Sequence, residues 1–462
     1  MATPVRTEGA GAPARPDGPV AVGRPGPVAW LNRATRTAPG RLRLAGALLA
    51  VVTVAFGTLT AWQVDGRARA AERVVSYSQP LSQAAADIHR SLADADTTAA
   101  TGFLLAGAEP KAVRERYEQD LATASRLIAE AAARTTASSP AQGWLATLNQ
   151  QVPVYAGLVE TARANNRLGY PLGGAYLRYA SDQMRTVLLP AAAQLSAAEN
   201  QELADDYAAA RSVPWAAYGL GVLALAVLVW VQVVLFRRTN RVFNVGLVAA
   251  TAAVLSAVLW LTVAGTTADS ALQRSEKRGA APLRALNAAR VDVLTARLAE
   301  NLHLVARGSS TKYAELWSKT TEHLSGTDGP RDQPTGTLGE ARSLAPAEAV
   351  DALVAAGEQF RHWRDQHAAA TKLEVVDGDY QAALNATVAA RPEDAAKTAD
   401  ASFGATDRKL AEAAGVELKQ FQQAAEGVDG DLRTAAVAVA VLALVAAAAA
   451  VRGLGRRLAE YR

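Results

Sequence analysis

Apolar residues fall along this chain in two rhythms. Four runs contain no Asp, Glu, Lys or Arg: Leu44–Trp62, Trp215–Phe236, Val242–Gly265 and Thr434–Val451. A helix needs about 20 such residues to cross a bilayer. Core helices of soluble proteins seldom reach this length without a charged face. The runs therefore predict transmembrane helices at 44–63, 214–236, 242–265 and 434–451. Elsewhere the apolar positions step by three and four. Ile88, Leu92, Ala95, Ala99 and Phe103 form one stripe; Val113, Tyr117, Leu121, Ala124 and Ile128 another; Trp144, Leu148, Val152, Tyr155 and Val159 a third. Each marks one face of a helix, close to a heptad seam.

Breaks at 107–111, 135–142 and 167–174 divide residues 64–213 into four helices, the first and last continuing into spans. At 1.5 Å per residue the first helix reaches about 60 Å from the membrane, and the middle two measure roughly 40 Å. The turns at 107–111 and 167–174 should meet at the far tip, with 135–142 lower down. Residues 266–433 repeat the plan. Pro80-Leu81 and Pro282-Leu283 stand at nearly the same spacing before Gly107 and Gly308. A final helix is expected from "RPED" (391–394), with the stripe Leu410, Ala414, Leu418, Phe421 and Ala425. The insertion at 325–336 has no counterpart in the first half. The fold class is an all-α integral membrane protein built as a tandem span–bundle–span repeat.

Charge sets the expected orientation. Residues 1–43, 237–241 and 452–462 hold 14 basic and 3 acidic residues, whereas the rest holds 34 basic and 41 acidic. Positive charge resists translocation, so both termini and the 237–241 loop belong in the cytosol of a bacterial cell. Arg237, Arg238 and Arg241 are then topology anchors for the central hairpin. Trp62 and Trp215 sit at the outer ends of the first two spans, where amphipathic indoles concentrate. Residues 1–43, rich in Pro, Gly and Ala with dispersed Arg, read as a disordered basic cytosolic tail. The first span reads as an uncleaved anchor, because a charged stretch separates it from "ARA" at 68–70. Basic tails beside spans signal topology rather than nucleic-acid binding. No cysteine is present, which excludes disulfides and an N-terminal lipidated Cys.

Catalytic chemistry is not legible. There is no P-loop, no G-x-S-x-G and no glycine fingerprint. His362 and His367 diverge around a helix, as do Asp94 and Asp96, so no metal site, cofactor or enzyme activity is expected. The spans hold no ionisable residue of the kind a carrier or channel places on its path. Ala is abundant in the fourth span, which suits close helix packing and is compatible with a homo-oligomer. The predicted cytosolic parts are too small for an output domain, so any signal must pass to a separate protein.

The span–bundle–span layout resembles the sensor halves of bacterial chemoreceptors and histidine kinases. Two stretches, "ARANNRLGYPLGGAYLRYASDQMRTVLLPAA" (162–192) and "FRRTNRVFNVGL" (236–247), resemble the GlnX-type four-span membrane proteins of actinobacteria. That resemblance implies amino-acid sensing, a solute-binding lipoprotein as outer partner and protein kinase G as cytosolic partner. The residues themselves point to the distal tip. Asn165, Asn166, Arg167, Tyr170, Tyr176 and Arg178 cluster around a Gly/Pro loop. Tyr and Arg are enriched in binding hot spots, and Arg grips carboxylates with two hydrogen bonds. The expected function is a non-enzymatic sensor that relays an outside signal inward; the alternative is a membrane scaffold with purely structural bundles.

Overall fold

A computed structural model describes residues 38–105, 109–136, 139–239, 244–307, 310–326, 334–388, 396–425 and 428–459. The N-terminal tail through residue 37, Arg241 and the 391–394 start of the last long helix lie outside them. Among the described residues all regular structure is helical: α1 (Ala38–Arg73), α2 (Gln79–Leu104), α3 (Lys111–Arg134), α4 (Ala141–Arg167), α5 (Leu172–Gln183), α6 (Leu189–Ala210), α7 (Trp215–Thr239), α8 (Val245–Ser275), α9 (Ala281–Ala306), α10 (Lys312–Ser325), α11 (Thr337–Leu344), α12 (Ala347–Val375), α13 (Tyr380–Thr387), α14 (Ala399–Ala425) and α15 (Val428–Ala459). Among the described residues four stretches are long and apolar enough to cross a membrane; they contain three of the four uncharged runs whole and the third run from Val245 onward. The chain is an all-α protein of multi-pass membrane type.

Among the described residues three single π-turns join successive helices: π1 (Val74–Ser78) between α1 and α2, π2 (Met184–Leu188) between α5 and α6, and π3 (Glu276–Ala280) between α8 and α9. Each is followed within two residues by a proline, Pro80, Pro190 or Pro282. Proline lacks an N–H and its ring clashes with the carbonyl four residues back. Widening the preceding turn relieves both problems. The N–H of Gln79 reaches Val74 O, Leu189 reaches Met184 O, and Ala281 reaches Glu276 O, five residues back in each case. The helix then runs through the proline without a break, and residues 40–104 and 245–306 are helical throughout. The return helix of the first half is interrupted instead, at 211–214 before α7.

The described chain forms two compact units. The first contains parts of the apolar helices, within 1–58, 218–257 and 441–462. Small residues set its helix spacing, as expected where lipid supplies no hydrophobic drive. A Cβ on Gly57 would stand 2.5 Å from that of Ala443, and one on Gly246 would stand 2.5 Å from the Cα of Gly453. Two polar contacts add to this. Asn244 Nδ2 donates to Gly453 O (2.9 Å), and Gln232 Nε2 donates to Thr251 Oγ1 (2.7 Å).

The second unit holds 59–217 and 258–440. Its centre is the pair α2 and α9, the first helices of the two halves. The first-half core contains Ile88, Leu92, Leu148, Tyr155 and Leu195, and extends to Leu298 and Leu302 of α9. The second-half core contains Leu286, Leu294, Phe360, Trp363 and Leu410, and takes in Ala93 of α2. A smaller cluster of Leu104, Leu304, Ala383 and Val388 closes the far end of the seam. The α14 stripe differs from the expected one: Leu410, Ala413, Glu417 and Phe421 are buried, while Ala414 and Leu418 are only half-buried. A carboxylate occupies a core position that a count of apolar residues passes over.

Candidate functional site

The tip of the first half is built by a helix stop. Helix α4 ends in a Schellman motif: Tyr170 N–H donates to Asn165 O (2.9 Å) and Gly169 N–H to Asn166 O (3.0 Å). Gly169 has φ +73°, the left-handed conformation that glycine adopts without strain. The chain then turns at Pro171 into α5, where Gly173 lies so close to α4 that a Cβ would stand 2.9 Å from Asn166 N. Described residues in and beside the two turns are in contact: Asn166 Nδ2 donates to Phe103 O (2.9 Å) and Arg163 pairs with Glu109 (3.0 Å). Residues 106–108 lie outside the described residues. At the opposite end Tyr77 Oη of π1 donates to Arg134 O (3.4 Å).

The six tip residues divide into two groups. Asn165 donates its amide to Thr161 O (2.8 Å) and Asn166 donates to Phe103 O, so both serve the turn. Arg167, Tyr170 and Tyr176 are exposed and Arg178 is half-buried. Leu168 (68% exposed), Leu172 (60%) and Tyr179 (64%) join them. The two leucines carry no hot-spot signal, whereas Tyr179 is of the same type as Tyr170 and Tyr176; together they turn the tip into a mixed aromatic, aliphatic and cationic surface. Of the topology anchors, Arg237 is exposed at the end of α7, whereas Arg241 and the side chain of Arg238 are outside the described residues.

Below the tip, the seam between the halves is polar and ionic. Thr97 Oγ1 donates to Leu294 O (3.0 Å), and Asn301 Nδ2 donates to Thr101 Oγ1 (2.8 Å). Arg116 of α3 bridges Asp94 of α2 (2.9 Å) and Asp407 of α14 (3.0 Å). Asp120 stands in the same network, and burial together with the Asp94 carboxylate pushes its carboxyl up. Asp96 turns the other way, into the first-half core, where it accepts from Tyr155 Oη and Ser181 Oγ (2.9 Å each). Burial pushes it up to about 6 against those two hydrogen bonds.

The second half buries another charged group. Glu300 accepts from Arg297, from Trp363 Nε1 (3.0 Å) and through its other oxygen pairs with His367 Nδ1 (2.9 Å). Although burial opposes it, Arg297 and these partners hold its carboxyl below the usual range. Trp317 stacks on His367 at 3.7 Å. His367 is thus a half-buried residue held by Glu300 and Trp317, while His362 belongs to a surface hollow with Arg361 and Asp365. No group of three or more His, Cys, Asp or Glu among the described residues is placed to hold a metal ion. Two further carboxylates, Glu199 and Glu417, are buried in the last helix of each half, one turn before Leu203 and Phe421. Burial pushes each up to about 7, with Glu202 adding to the effect at Glu199.

Residues 70–208 match the family model described as Actinobacterial sensor domain. The match covers π1, α2–α5, π2 and most of α6, which together contain the tip and half of the seam. No curated protein and no solved structure matches the chain.

Proposed function

We propose that this chain, a membrane protein carrying a sensor domain at 70–208, is a non-enzymatic relay. In this reading the helical unit faces the cell exterior and both termini face the cytosol. The tip at Arg167, Tyr170, Tyr176 and Arg178 receives an extracytoplasmic partner, such as a solute-binding lipoprotein. The signal passes to a separate cytosolic effector, such as a kinase.

The observation that supports this most is helix continuity. Gly40–Leu104 and Val245–Ala306 each combine an apolar span with a central helix of the α2–α9 seam. A helix transmits displacement along its axis because its hydrogen bonds are internal. The surface at the tip has the composition of a binding surface, with tyrosines and arginine around aliphatic residues. Its exposed side chains touch little of the core, so their removal should spare the fold.

The experiment has two parts. In a chain without cysteine, single Cys residues placed at Thr239 and at Pro140 report sidedness through a membrane-impermeant thiol reagent. Intact cells should label the Pro140→Cys variant and leave Thr239→Cys unlabelled; the reverse pattern overturns the orientation. Crosslinking in membranes then identifies partners of the wild type and of the Arg167→Ala, Tyr170→Ala double variant. Loss of the outer partner at normal abundance supports docking at the tip. Retention of every partner moves the surface elsewhere and favours a scaffold, a role for which the tightly paired seam is also suited.

A further inference from the structure

A cavity of about 310 Å³ opens at the seam, near π3, walled by α2, α6, α9, α10 and Phe421 of α14. This is at the lower end of the range for small-molecule pockets, about 300–1,000 Å³. It lies at the opposite end of α2 from the tip, since Ser82 and Phe103 are separated by about 30 Å of helix at 1.5 Å per residue. Both halves contribute walls, so an occupant touches the first and second halves together.

The cavity contains hydrogen-bonding groups that the protein leaves unused. Gln83 Nε2 is buried with no partner. An unpaired buried amide is destabilising, and an incoming acceptor would relieve that cost. His89 also lines the wall, and burial pushes it down to about 4. It is therefore neutral at physiological pH and offers one donor and one acceptor. Arg284 stands exposed at the cavity with no carboxylate partner among the described residues. The carboxylate present, Asp292, is already engaged by His323 Nδ1 and Thr337 Oγ1 (2.9 Å each). Leu203 and Phe421 supply an apolar wall.

We infer that this cavity binds a small organic carboxylate whose apolar body rests against Leu203 and Phe421. Arg284 holds the carboxylate through its planar fork. Gln83 and His89 bond a second polar group, which selects against purely aliphatic acids. The site differs from the tip and does not depend on partner docking there.

Detergent-purified full-length protein is melted in the presence of lactate, succinate, mandelate and phenylacetate, each beside its uncharged amide. At least one carboxylate should raise the melting temperature saturably where its amide does not. Arg284→Gln should weaken that response at least tenfold. Ala288→Trp, at an exposed position lining the cavity, should abolish it. Arg167→Ala with Tyr170→Ala should leave it unchanged. The inference is overturned if no carboxylate outperforms its amide on the wild type, or if the response survives both cavity substitutions.

Discussion

Glu417 gives the most direct test of the core. Its side chain is fully buried and both carboxylate oxygens lack a hydrogen-bond partner. Burial is the one cause that moves its pKa, from the ordinary 4.5 to about 7. The sign follows from linkage. Below pH 4.5 the carboxyl is protonated in the folded and unfolded states alike, and it costs nothing electrostatically. Between 4.5 and 7 the unfolded chain ionises and the folded one does not, so stability falls as pH rises. Above 7 the loss is complete. One pKa unit corresponds to 1.36 kcal/mol, so the full loss is about 3 kcal/mol. Glu417→Gln removes the titration while keeping the shape. The variant and wild type should melt together near pH 4.5 and separate progressively up to pH 8. At roughly 2 °C per kcal/mol for a large unit, the final gap is about 6 °C in favour of the variant. The assay is tryptophan fluorescence during thermal unfolding in detergent across that pH range. A gap that is the same at pH 5 and pH 8 would refute the argument, as would a variant less stable than wild type at pH 8. Glu199→Gln should repeat the pattern in the first half.

Two further outcomes follow from packing. Arg297→Met should destabilise the protein by about 3–5 kcal/mol, because Glu300 is left buried without its cationic partner; adding Glu300→Gln, which removes the charge and keeps an acceptor for Trp363 Nε1, should restore part of the loss, read as melting temperature and membrane abundance. Gly57→Val should cost about 1–3 kcal/mol by overpacking against Ala443, and Ala443→Gly should rescue it in the same melting assay.

The apolar architecture was legible because its signals are long. Uncharged runs of bilayer length and stripes such as Ile88–Leu92–Ala95–Ala99 survive any local exception, and those four stripe residues are buried. The seam was not legible, because its residues are of the wrong type for a periodicity search. Thr97, Thr101 and Asn301 read as surface positions on a helix, yet they are buried and bonded across the halves. Glu417 escapes a periodicity search for the same reason, and the half-buried Leu418 beside it takes its place in the apolar stripe. At the tip, residue type identified the right loop but not the use of each side chain. Asn165 and Asn166 satisfy backbone carbonyls, a task that only three-dimensional proximity reveals. Leu168 and Leu172 are apolar and resemble core residues in type, and only their exposure places them on the surface. The π-turns could have been suspected from Pro80, Pro190 and Pro282, since an uninterrupted helix must accommodate each proline somehow.

Those π-turns also change how the sequence must be counted. Each successive residue of an α-helix advances the face by about 100°, so one surplus residue in a turn displaces the angular position of everything before it. Positions on α1 therefore cannot be projected onto α2 by steps of 3.6 across Val74–Ser78. An alignment that closes a one-residue gap there would keep every residue type plausible while assigning each upstream position to the wrong side of the rod. Insertions and deletions at 74–78, 184–188 and 276–280 thus carry information that substitutions at the same sites do not.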